Sequence, residues 1–116
     1  MAQAIVIRPV EPGDAAIWER MRSAATFSSP PRREPLAVLL ACSGAGTPVG
    51  FVELSIRPYA EGAETDRVAV VEGWYVEPGH RGKGIGAALM RAAEEWGRAH
   101  KCTELSADTQ AVISLG

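Results

Sequence analysis

The stretch Trp74-Tyr75-Val76-Glu77-Pro78-Gly79-His80-Arg81-Gly82-Lys83-Gly84-Ile85-Gly86-Ala87 carries residue types that bind phosphate. An apolar, strand-like run leads into a basic loop with glycine at 82, 84 and 86, and the loop becomes the first turn of a helix. Glycine lets the backbone curl and removes side chains that would hold an anion away. The free amides of a helix's first turn then point at that anion, and the helix dipole favours it. Arg81 and Lys83 add positive charge, with His80 beside them. Such a loop suits a pyrophosphate. A plain surface loop is the alternative, but alternating glycines weaken a helix start unless something uses the exposed backbone.

Two other phosphate loops compete for the same residues. A P-loop needs G-x-x-x-x-G-K-[ST], which the chain lacks. A dinucleotide fingerprint is closer, because Gly82-x-Gly84-x-x-Ala87 fits G-x-G-x-x-[GA] and Asp108 ends the next strand. That fingerprint turns straight out of its strand, whereas here the apolar run stops at Val76, and it would stand late in the chain with one strand to follow.

The elements that must position this loop are legible in order. Ala4 to Arg8 reads as a strand stopped by Pro9. Asp14 is placed to cap a first helix near 14–25, with Ile17, Met21 and Ala24 or Ala25 on one face. Ser28 to Pro35 carries Pro30, Pro31 and Pro35 and reads as an extended connector. Leu36 to Cys42 and Val49 to Arg57 read as two strands of a hairpin around Ser43–Pro48. A loop with Tyr59 and the acids Glu61, Glu64 and Asp66 leads to a strand over Val68–Val76. The longest helix spans Gly84 to His100, with Ile85, Leu89, Ala92, Ala93 and Trp96 on its apolar side, so Trp96 is assigned to the core. Glu104 to Ala107 is a last strand, and Asp108 to Gly116 shows no clear continuation. The whole is one α+β domain, an antiparallel-rich sheet finishing in a β-α-β unit.

Composition narrows the function. The chain has 116 residues, 47% hydrophobic and 22% charged, as expected of one folded domain. A formal net charge of −2 is the wrong sign for a dedicated nucleic-acid binder. No apolar run is long enough for a transmembrane helix, and the N-terminus does not read as a signal peptide. The expected address is the cytoplasm. Cys42 and Cys102 lie far apart with no clustered histidines, so both read as buried thiols and no metal is expected.

Arg81-x-x-Gly84-x-Gly86 resembles the [QR]-x-x-G-x-[GA] acetyl-CoA loop of the GNAT superfamily of N-acetyltransferases, and Tyr75-Val76-x-Pro78 is also typical of it. Phe51–Arg57, the acidic loop, Val70–Val76 and Glu104–Asp108 together look like the aminoglycoside 6'-N-acetyltransferases, a likeness spanning about 36–109. The resemblance implies a mixed, mostly antiparallel sheet flanked by helices, with acetyl-CoA bound where the strands at 68–76 and 104–107 part. Backbone groups of Tyr75 and Val76 would pair with the pantetheine arm, and Arg81, Gly82, Lys83, Gly84, Ile85, Gly86 and Ala87 would hold the pyrophosphate. An amide near a bulge at Gly73-Trp74 would stabilise the oxyanion. Glu72 would be the catalytic base, acting through water; a strand carboxylate facing solvent is the alternative reading. Asp108 would face a cationic acceptor, helped by Glu53, with Tyr59 and Trp74 walling the pocket; for the acids, a solvated surface charge is the alternative.

The same resemblance marks two departures. The family's second helix has no room in Ser28–Pro35, and its last helix and strands find no match in Gln110–Gly116, so no general acid is assigned. The sequence therefore looks truncated at its C-terminus, leaving Glu104–Ala107 as an open sheet edge. A homodimer follows as an expectation, through that edge or through a crossing tail, Val112-Ile113-Leu115. Three functions fit: acetyl transfer from acetyl-CoA to an aminoglycoside amine, transfer to a peptide or polyamine, or a non-catalytic remnant that still binds CoA.

Overall fold

The computed structural model describes residues 4–25, 35–60, 62–107 and 112–115. It contains β1 (Val6–Pro9), α1 (Ala15–Ala24), β2 (Ala37–Cys42), β3 (Pro48–Arg57), β4 (Val68–Val76), α2 (Ile85–Ala99), β5 (Glu104–Ser106) and β6 (Val112–Ser114). The strands form one six-stranded sheet in the order β1-β2-β3-β4-β5-β6. Every pairing is antiparallel except β4 with β5, which is parallel and is bridged by α2. This is the expected α+β architecture. Residues 28–34 of the expected connector lie outside the described residues.

The two helices cover opposite faces, as strand alternation dictates. Ile85, Leu89 and Ala93 of α2 pack on Val52, Leu54, Ala69, Val71 and Leu105, with Trp96 half-buried beside them. On the other face Met21 of α1 and the adjoining Ala25 pack on Leu40, Phe51 and Tyr75. Pro9 is the last residue of β1 rather than its stop, tolerable because β1 is an edge strand. Asp14 caps α1 with no side-chain bond. Its carboxylate instead turns back to accept from the Glu11 amide at 2.8 Å and from the Arg8 guanidinium at 2.7 and 3.0 Å.

The C-terminal segment corrects one expectation. Val112–Ser114 forms β6 along β5, pairing Leu105 with Ile113, so the β5 edge is filled from within the chain. Leu115 then sinks into the α2 face at 4% exposure, and its carbonyl accepts from Arg98 Nε at 2.8 Å. The apolar tail folds home. A short apolar strand with an open ladder beside it saves more by pairing locally than by waiting for a second chain, because the connection is only a few residues long.

Candidate active site

The site begins at an irregularity in β4. Leu54 pairs with Val71 and Glu53 with Gly73, leaving Glu72 as an extra residue, a β-bulge. Past the bulge, Gly73 and Tyr75 lie on the α1 side, and Trp74 and Val76 on the α2 side. Arg57, the last residue of β3, meets Glu72 there: its Nε and Nη2 donate to the same oxygen, Oε2, at 2.9 and 2.7 Å.

Beneath Gly73 sits Glu53, only 1% exposed. Its Oε2 accepts from Trp18 Nε1 and Arg22 Nε, each at 3.0 Å, and the Arg22 guanidinium lies 5.1 Å from the Trp18 ring centroid. A buried carboxylate is tolerated only when charge and hydrogen bonds compensate it. Glu53 thus ties α1 to the sheet; sequence reading placed it toward the acceptor. A β-carbon at position 73 would lie 2.7 Å from Glu53 Oε1, so the carboxylate needs glycine above it.

β5 leaves β4 early. The parallel pairing covers Val68, Ala69 and Val70, and beyond it β4 runs on to Val76 with no strand among the described residues along its outer side. In the β3–β4 ladder the Glu77 amide donates to Val49 at 2.8 Å, and Tyr75 pairs with Phe51. Antiparallel alternation then turns the Tyr75 backbone toward β3, and that of Trp74 and Val76 outward into the opening. The sequence reading expected the Tyr75 and Val76 backbone in this opening; in the ladder the outward backbone is that of Trp74 and Val76. The opening is a cleft of about 440 Å³ lined by Ala24, Ala25, Trp74–Val76, Arg81, Gly82 and Gly86.

The loop closes one end of the cleft. Gly82 and Gly84 take φ of +79° and +85°, conformations that L side chains rarely adopt, and the curl carries the chain into α2. The first helical bond runs from the Ala88 amide to the Gly84 carbonyl at 3.0 Å, and no side chain caps the helix. The amides of Ile85, Gly86 and Ala87 therefore have no carbonyl within the helix to bond. These are donors suited to a pyrophosphate, so the residues present fit CoA. The Arg81 amide, expected among them, instead turns toward Pro78 at 3.4 Å.

A polar network holds the wall. Tyr75 Oη donates to Glu77 Oε1 at 2.8 Å, Arg20 of α1 bonds Glu77 Oε2, and the Arg81 guanidinium lies 5.5 Å from the Tyr75 ring centroid. Arg20 above all holds the Glu77 carboxyl below its ordinary range, while burial first and Glu77 second push the Tyr75 hydroxyl up. Arg81 Nε donates to the outward Val76 carbonyl at 2.7 Å.

Residues 8–113 match the model of the acetyltransferase (GNAT) family. The chain belongs to that family. An aminoglycoside N(6')-acetyltransferase type 1 from Klebsiella aerogenes is 44% identical, the match covering 95% of this chain and 82% of that one. One from Stenotrophomonas maltophilia is 38% identical over 95% of this chain and 78% of its own. Among solved structures, aminoglycoside N-acetyltransferase AAC(6')-Iy in complex with CoA superposes with a TM-score of 0.80 at 25% identity, covering 93% of this chain and 78% of that one. The same enzyme with the bisubstrate analogue CoA-S-monomethyl-acetylneamine gives 0.79 at 26% identity, over 90% and 79%.

Of the GNAT residues expected from sequence, the structure brings Trp74, Tyr75, Val76, Arg81, Gly82 and Gly86 to one cleft. Lys83, Gly84, Ile85 and Ala87 sit in the adjoining turn. Glu72 lies at the bulge, and Tyr59 is 71% exposed in the loop after β3. Asp108 and Glu61 lie outside the described residues. Arg57, Trp18, Arg22, Arg20 and Glu77 were missed. Nothing in their spacing marks them, because Trp18, Arg20 and Arg22 meet their partners only where α1 packs on the sheet, and Arg57 meets Glu72 only through the β3–β4 register. Among the described residues no group of acids, histidines or cysteines could hold a metal ion, and no helix is long and apolar enough to cross a membrane.

Proposed function

We propose that this chain is an acetyl-CoA-dependent aminoglycoside 6'-N-acetyltransferase. The observation that carries the reading is the cleft that joins the outward backbone of Trp74 and Val76 to the uncapped turn of α2, in a chain 44% identical to an enzyme of that name. Outward N–H and C=O groups of β4 pair with the pantetheine amides as a strand adds to a sheet edge. The first-turn amides of α2, with Lys83, hold the pyrophosphate. Bound there, acetyl-CoA supplies a thioester carbonyl for an amine to attack.

The chain's own residues then do three things. The outward Trp74 amide, just past the bulge, donates to the oxygen that becomes negative as the amine adds. Glu72 accepts, through water, the proton that a cationic amine must lose before it attacks; a base so placed is worth about 10²–10⁴ in rate. Asp108, Glu61, Glu64 and Asp66 favour a polycation over a neutral acceptor. The N–C bond forms, the C–S bond breaks, and the product carries one positive charge fewer than the drug. Such a reaction uses the cytoplasmic acetyl-CoA pool and would lower the drug's affinity for anionic targets, a resistance function.

Thiol release from acetyl-CoA in the presence of kanamycin tests the reading. Turnover that Glu72→Gln cuts by at least about 100-fold supports it. Calorimetric binding of CoA without any turnover on kanamycin, a peptide amine or a polyamine would replace it with a non-catalytic CoA-binding domain.

A further inference from the structure

Glu72 meets a cation before any substrate arrives. Arg57 places Nε at 2.9 Å and Nη2 at 2.7 Å from one oxygen of the carboxylate. The pair is lopsided in burial: the Glu72 side chain is 13% exposed and that of Arg57 41%. Arg57 ends β3, with the exposed Tyr59 loop following, so its guanidinium can leave for water while Glu72 stays fixed in the bulge. An acceptor whose amine is protonated brings the same kind of charge to the same oxygen.

We propose that Arg57 is a resident counter-ion which the acceptor's ammonium displaces, making it a specificity-determining residue. The inference rests on the reading of Glu72 as the group that receives the amine. The departing guanidinium, 41% exposed, is re-solvated by water, while an incoming ammonium restores the charge that the part-buried carboxylate loses. The exchange is therefore cheap for a cation. A neutral acceptor has nothing to drive it, because its arrival would cost the carboxylate the Arg57 bond and return no charge. Arg57 thereby works as a filter: it excludes neutral groups from the carboxylate and admits groups of its own charge. Its guanidinium, swung aside, still repels the incoming polycation, which adds to the apparent KM.

The test compares wild type, Arg57→Gln and Arg57→Lys. Calorimetric affinity of the CoA-loaded protein for kanamycin, and KM and kcat for kanamycin, are measured at low and at moderate salt. Displacement predicts that Arg57→Gln tightens kanamycin binding about 2- to 5-fold, the range expected for an ion pair open to water on its arginine side. KM should fall by the same factor, the gain should shrink with added salt, and Arg57→Lys should restore the wild-type value. An unchanged or weaker affinity in Arg57→Gln, or a loss confined to kcat, overturns the proposal and makes Arg57 a positioning residue for Glu72. Because the binding arm needs no turnover, a protein that binds kanamycin with this pattern yet transfers nothing would refute the activity and leave the exchange standing.

Discussion

Replacing Gly73 with alanine tests whether the buried carboxylate beneath the bulge is fixed. The new β-carbon would lie 2.7 Å from Glu53 Oε1, 3.2 Å from its Cδ and 3.3 Å from Phe51 Cε1. A free carboxylate would step aside, but this one is pinned through Oε2 by Trp18 Nε1 and Arg22 Nε, each at 3.0 Å. Gly73 is not among the glycines with positive φ, so the penalty is steric rather than conformational. Overpacking of this kind costs about 1–3 kcal/mol. A charged hydrogen bond lost as Glu53 moves adds about 1.5–3 kcal/mol. On those two terms Gly73→Ala should destabilise by about 2.5–6 kcal/mol, read as a shift in the urea midpoint at unchanged slope. The decisive comparison is a double-mutant cycle with Glu53→Ala, which removes the obstructing oxygens. In that background the same Gly73→Ala change should cost under about 1 kcal/mol, the scale of a small residual misfit. An equal cost in both backgrounds would refute the argument that Glu53 is what forbids a side chain at 73.

Leu115→Ala empties a core position that is 4% exposed, and should lower stability by about 2–3 kcal/mol while raising hydrogen exchange in β6. Gly84→Asp puts an L side chain at φ +85° and an acid beside the uncapped turn; calorimetry should show CoA binding lost while far-ultraviolet circular dichroism stays unchanged. The Asp14 carboxyl, held by Arg8 at about 2, and that of Glu77, held low by Arg20, both have folded pKa values below their unfolded ones. The native state then binds fewer protons, so their contribution is present above about pH 4.5 and lost as pH falls toward 2. Urea midpoints across that window should fall with pH, and Arg20→Gln should flatten the part due to Glu77.

The helices and inner strands were readable because their signals are local. The 3.6-residue period over 85–96 reports one buried face, and the nearly unbroken apolar run over 36–42 reports a strand covered on both. The glycine-rich turn into α2 was equally legible, since glycine and basic residues at fixed spacing mark it within a few positions. The side-chain network around the bulge was not. Glu53 is one carboxylate among several in the sequence, and only the pairing with Gly73 and the reach of Trp18 and Arg22 from α1 bury it. Arg57 is another such case, reaching Glu72 only once the bulge sets the register. The strand at 112–114 escaped notice because so short a segment carries too little periodicity to register, and its stability comes from the ladder it joins.

The extra residue at Glu72 also divides β4 into two segments whose parity is opposite. Were Glu72 an ordinary rung of the ladder, counting by twos from Val71 on the α2 side would send Trp74 to the α1 side and Tyr75 onto α2. As it is, Tyr75 locks under α1 while Trp74 packs over Gly86. Residues 68–71 and 73–76 therefore each keep their own in-and-out code. Deleting a residue elsewhere in the strand would flip whatever follows it. Deleting Glu72 would not, because Val71 and Gly73 already face the adjacent residues Leu54 and Glu53. Trp74, Tyr75 and Val76 would keep their facing while the carboxylate and the bend that presents it vanished together. The sheet could close without this residue; the bulge adds a carboxylate and a bend that the ladder itself does not require.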